Sequence, residues 1–117
     1  MREQEITLQE DGNGCDVIII VSTLIDDGID MSTRLVVARE HIGWIADEVD
    51  KARETWGYSG AEVTLGDDHL SVFGGGTDWQ PIINLQNVRS GNCEAGKYWI
   101  GMTVEVAEKL RDLLRSR

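Results

Sequence analysis

The chain has 117 residues, 41% of them hydrophobic and 27% charged, with 21 acidic against 11 basic side chains and a formal net charge of −10. That length fits one domain, residues 1–117, with a core of its own, and the composition excludes wholesale disorder. The acidity excludes direct binding to nucleic acid or to an anionic membrane surface, since both need clustered Lys and Arg.

The acidic excess is uneven. From Glu3 to Asp30 there are eight carboxylates and no Lys or Arg, whereas residues 97–117 carry five bases and three acids. Such a bias speaks of partners rather than of fold. The first residues do not form a signal-peptide pattern, and the longest apolar run, Val17 to Val21, is too short to span a bilayer. Cys15 and Cys93 make no CxxC or metal-type pair. The expectation is a cytoplasmic protein with reduced thiols, with a Cys15–Cys93 disulfide left open at this point.

Glu5 to Gln9 alternates polar and apolar residues, as a half-buried strand does. Asp11-Gly12-Asn13-Gly14 then supplies residues suited to a hairpin turn. Asp16 to Ile25 is apolar on both alternating sets and predicts a central strand covered on both faces over part of its length. Asp26-Asp27-Gly28 closes it. Arg34 to Ala38 is read as a third strand, because consecutive β-branched residues disfavour helix.

Ile42, Ile45, Ala46, Val49, Ala52 and Trp56 recur at spacings of three and four, which predicts a helix over about residues 39–56. Gly57 stands where a left-handed helix cap belongs. Ala61 to Leu65 and Leu70 to Phe73 flank a polar turn and read as a hairpin. Gly74-Gly75-Gly76 reads as a loop. Ile82 to Val88 is a strand that Pro81 opens at a tolerated position. Lys97 to Met102 is the last strand. Thr103 then caps a second helix, about 104–115, with a Val106, Ala107, Leu110, Leu113 and Leu114 stripe and charges that match the helix dipole. The fold expected is α+β: an antiparallel sheet of about five to seven strands with both amphipathic helices packed on one face. A strand-then-helix echo between Leu35–Ala52 and Trp99–Arg115 is too weak to name as a repeat.

Few motifs carry chemistry. Asp67-Asp68-His69 combines carboxylate and imidazole, but strand neighbours point to opposite faces, so a polar turn is the better reading. The Asp11 and Asp26 runs fail the calcium-loop pattern, and Gly74–Gly76 lacks the lysine and helix start of a phosphate loop. No Cys/His arrangement supports a nucleophile. No cofactor, metal or catalytic residue is expected.

The interaction reading is stronger. At 100° per residue Trp44 falls opposite the apolar stripe of the first helix, among Glu40, Asp47, Glu48 and Lys51. Two readings stand for it: a binding anchor, or a ring covered by a loop, the N-terminal strand or a second copy of the chain. His41 lies at the edge of the same face and reads as a solvent-exposed helix residue. Trp56 and Tyr58 read as closing the core, and Trp79 either as a second anchor or as a plug at the sheet end. Trp99, alternating with Tyr98 and Ile100, should lie on the sheet face away from the helices and offer a homodimer surface.

The favoured function is a non-enzymatic acidic protein-binding module. It would occupy a basic, nucleic-acid-binding surface of a partner protein, by analogy of size and charge with inhibitors, immunity proteins and anti-CRISPR-type mimics. Trp44 would anchor it, and Asp26, Asp27, Asp30, Asp47, Glu48 and Glu54 would meet the partner's Lys and Arg. The alternatives are a homo-oligomeric structural or accessory protein whose acidity serves solubility, and a small metal-dependent enzyme or binder using Asp67, Asp68 and His69.

Overall fold

The computed structural model describes residues 2–10, 14–25, 28–54, 60–77, 80–91 and 95–117. Three antiparallel strands come first: β1 (Arg2–Glu10), β2 (Asp16–Ile25) and β3 (Gly28–Ala38). A 3-10 turn (Arg39–His41) leads into α1 (Ile42–Glu54). Four more strands follow: β4 (Ala61–Leu65), β5 (Asp68–Thr77), β6 (Gln80–Arg89) and β7 (Gly96–Thr103). They run into α2 (Val104–Arg115), whose first turn is capped by Thr103 Oγ1 accepting from the N–H of Val106 at 3.4 Å.

The α+β class and the antiparallel pairing are as expected; the single sheet is not. The strands form two sheets, ordered β1-β2-β3 and β4-β5-β6-β7. Register explains the shared core. In the first sheet Leu8, Ile19 and Leu35 lie side by side, as do Val72, Leu85 and Ile100 in the second. These rows, with Ile45 and Val49 of α1 and Ala107, Leu110 and Leu114 of α2, make one buried cluster, against which the half-buried Leu8 packs. Each fully buried Leu or Ile contributes roughly 1.5–3 kcal/mol by leaving water. The doubly apolar β2 behaves as its pattern implies: Val17, Ile19 and Val21 are buried, and Ile18 and Ile20 are half-buried on the other face.

Side chains, rather than a shared ladder, take two backbone groups at the end of each of the edge strands β3 and β7. At the end of β3, the N–H of Ala38 donates to Asp68 Oδ2 (3.0 Å) and the carbonyl of Val36 accepts from Asn87 Nδ2 (2.8 Å). At the end of β7, the N–H of Thr103 donates to Gln4 Oε1 (3.0 Å) and the carbonyl of Gly101 accepts from Gln4 Nε2 (3.3 Å). The groups taken this way are closed to an added strand.

Gly74–Gly76 is not a loop but the second half of β5, paired with Pro81–Ile83 of β6. A Cβ on Gly75 would sit 3.0 Å from the Asn84 amide nitrogen, so the missing side chain is what seats that amide. The two helices lie side by side and are laced by charge. Asp50 of α1 takes Arg53 of its own helix (2.9 Å) and Arg111 of α2 (2.7 Å), while Asp47 takes Arg115 (3.3 Å). The two guanidinium hydrogen bonds hold the Asp50 carboxyl at about 2, well below the usual carboxylate range. Among the described residues no helix is long and apolar enough to cross a membrane.

Candidate functional site

A buried polar cluster joins the two sheets. Asp68, at the start of β5, is 1% exposed and Asp16, at the start of β2, is 2% exposed. Arg89, at the end of β6, reaches both carboxylates, with Nη2 2.7 Å from Asp16 Oδ1 and Nε 3.0 Å from Asp68 Oδ1. Asp68 also accepts from Asn87 Nδ2 at 3.1 Å and meets His41 Nδ1 at 2.8 Å, which an ionised carboxylate can do only if that nitrogen carries the proton. Burial pushes the Asp68 carboxyl up, but the Ala38 N–H, His41, Asn87 and the Arg89 charge together outweigh it and hold it below its ordinary value. The hydrogen bond to Asp16, opposed by burial and helped by the Asp68 charge, raises Arg89.

Chemically this is a clasp. It takes the N–H of Ala38 and the carbonyl of Val36 at the end of β3, and His41 Nε2 lies 3.6 Å from Glu40 Oε1. His41, read from sequence as solvent-exposed, is largely enclosed because Asp68 draws its ring inward. Within the Asp67-Asp68-His69 turn the neighbours separate as strand alternation requires. Asp68 points into the clasp, and His69 turns outward to Thr64 Oγ1 (2.7 Å). Asp67 is exposed, its carbonyl accepting from the N–H of Ser90 at 2.9 Å. Among the described residues no group of three or more His, Cys, Asp or Glu is placed to hold a metal ion.

The acidic helix face is also rearranged. Trp44, expected opposite the stripe, is half-buried and packs against the core cluster. Glu48, expected in solvent, is 8% exposed and pairs with Lys51 at 3.1 Å. Asp47 is exposed and paired with Arg115; Glu54 is exposed beside Arg53 at 3.5 Å. A straight helical wheel reports angle along one element only, and cannot show which neighbours close over its far side. For Asp30 only its position in β3 is described. Asp26, Asp27, Trp56, Gly57, Tyr58, Trp79 and Cys93 lie outside the described residues, so the disulfide and core-closing expectations fall there; Cys15 is exposed.

Trp99 is different. It lies on the face of β7 opposite the buried Ile100, as its alternation predicts, and is 56% exposed. Its indole N–H donates to Asn84 Oδ1 at 3.2 Å, which fixes the ring across the outer face of the sheet. Trp99 and Met31, itself 56% exposed, line a groove of about 210 Å³ with Gln4, Val21, Thr23 and Thr33. That is smaller than the roughly 300 Å³ at which small-molecule pockets begin, and suits one large side chain of a partner. Met31 and Gln4 carried no sequence signal of their own, because the groove exists only where the first sheet overhangs β7.

No protein-family model matches the chain, and no curated protein sequence does either.

Proposed function

We propose that the chain is a non-enzymatic acidic protein-binding module that docks on a basic surface of a partner protein, as an inhibitor, an immunity protein or a nucleic-acid mimic does. The observation that carries the reading is the Trp99–Met31 groove. One of its walls (Gln4, Val21, Thr23) belongs to the stretch with eight carboxylates and no Lys or Arg. Trp99 takes over the anchoring role first assigned to Trp44, since an aromatic ring held in place and open to solvent offers contact area at small entropic cost. The carboxylates, Asp26, Asp27 and Asp30 among them, steer association and occupy the partner's Lys and Arg, so binding is fast and salt-sensitive.

The test is capture by tagged wild type and Trp99→Ala protein at low salt and at about 0.5 M salt, where surface charge is screened. The reading requires a nucleic-acid-handling partner held only at low salt, released by added DNA, and lost with Trp99→Ala. A partner retained by Trp99→Ala would remove the anchor.

One observation favours a second reading, a homodimer through the same face. Val88 is 43% exposed on β6, and Gln86, two residues before it, pairs with Trp99, so both apolar groups share one surface. A dimer in sedimentation that persists at high salt and dissociates with Trp99→Ala would establish it.

A further inference from the structure

A second groove lies along the other side of β1. Among the described residues β1 is the outer strand of its sheet and pairs with β2 on one side only. Four consecutive residues of it, Gln4 to Thr7, line a trough of about 440 Å³ whose opposite wall is α2. That wall presents Lys109, Asp112 and Leu113, at the three- and four-residue spacing of one helix face. Consecutive strand residues can line one trough only if the strand meets it edge-on, so the trough follows the backbone rather than one face of β1.

Gln4 is tied to the β7 backbone by its two hydrogen bonds, and Glu10 is tied to Arg117 (2.8 Å) and Arg39 (3.2 Å). Between these ties the edge runs for about four or five residues, roughly 13–17 Å of extended chain. Ile6 and Leu113 provide an apolar floor, while Glu5 and Thr7 are exposed on the outward side.

We propose that this trough binds a short extended cationic segment of another protein, which adds to β1 as a further strand. Its backbone would take the open N–H and C=O groups of β1. An apolar side chain would rest on Ile6 and Leu113, and the flanking Lys or Arg would stand opposite Glu5, a cross-strand pair of favourable sign. A second copy of the chain is disfavoured as occupant, since it would bring together two molecules of charge −10 along the segment without bases. The site shares Gln4 with the Trp99 groove but none of its other described lining residues, and stands whether or not that groove is used.

The experiment uses the full chain and a fluorescein-labelled hexapeptide of alternating lysine and valine. Two controls are the same peptide with glutamate for lysine, and one N-methylated on alternate residues so that it cannot form a ladder. Fluorescence anisotropy reports binding, and amide hydrogen exchange reports its place. The proposal expects binding of the lysine peptide, new exchange protection confined to β1 around residues 4–8, and about tenfold weaker binding of the N-methylated peptide and by the Glu5→Lys variant. Leu113→Ser, on the α2 wall, should weaken binding without altering exchange in β2. Equal binding of the N-methylated peptide would show attraction by charge alone and overturn the proposal. So would an absence of binding, or protection elsewhere on the chain.

Discussion

Gln4 and Asp68 hold equivalent positions in the two halves of the molecule. Each lies at the start of the first strand of a three-strand-and-helix run, β1-β2-β3-α1 in one case and β5-β6-β7-α2 in the other. Each accepts, at 3.0 Å, the N–H of the last strand residue before the other half's helical segment, Thr103 for Gln4 and Ala38 for Asp68. The carbonyl two residues earlier is also taken in both halves, by Gln4 itself at Gly101 and by Asn87 at Val36. The weak strand-then-helix echo in the sequence is thus a repeated topology with a repeated hydrogen-bond device. One amide does in the first half what a carboxylate and an amide share in the second.

Removing either device should cost unequally. Gln4→Leu leaves one N–H and one carbonyl at the β7 edge without their partner, which is worth about 1–3 kcal/mol. Asp68→Ala strips four groups and leaves Arg89 with Asp16 alone in a buried site, and should cost about 3–5 kcal/mol. Urea denaturation of both variants checks the order; an Asp68 variant as stable as the Gln4 variant would refute the clasp's weight.

Acid should loosen the molecule in a narrow window. The folded carboxyls of Asp50 and Asp68 lie below their unfolded values, so the unfolded chain binds more protons and their stabilisation is complete only above the unfolded pKa. For Asp50 it is lost as pH falls from about 4 towards about 2. The melting temperature should fall across that range, and Asp50→Asn should flatten the fall. A variant with an unchanged pH profile would remove the Asp50 contribution.

The two described tryptophans of interest should separate stability from binding. Trp44→Ala empties a place packed against the core and should cost about 2–4 kcal/mol. Trp99→Ala removes a side chain open to solvent and should shift stability by less than about 1 kcal/mol while abolishing partner capture. Paired denaturation and capture measurements decide it, and a reversed pattern would return the anchor to Trp44.

Gly75→Ala should report on Trp99 from a distance. The new methyl group would press on Asn84 Nδ2 at 3.0 Å and displace the amide that accepts from Trp99 Nε1. The expected result is a shift of the Trp99 indole N–H resonance with a loss of about 1 kcal/mol. An unmoved resonance would mean that the ring is held by something other than Asn84.

Much of this was legible in local sequence. Asp16–Ile25, Ala61–Leu65 and the capped helix after Thr103 follow from periodicity and capping, and Trp99 follows from alternation with Ile100, because each depends on residues a few positions apart. Asp68 was not legible as a buried group. A turn selects Asp for backbone reasons, and nothing local distinguishes such a residue from one destined for Arg89, whose other partner, Asp16, is 73 residues away. Gly74–Gly76 misled for the same reason: three glycines lower strand propensity, while the Asn84 amide beside Gly75 and the positive φ of Gly76 (80°) appear only in the folded chain.

The sequence by itself determined the charge, the elements and which side of most strands is apolar, since these are properties of short segments. Only the tertiary structure decided that the strands form two sheets, that Glu48 and Asp68 leave water, and that Trp99 rather than Trp44 stands open. Those outcomes depend on which edges meet across the core. That choice is made by hydrogen bonds such as Gln4 to Thr103, between residues nearly a whole chain apart.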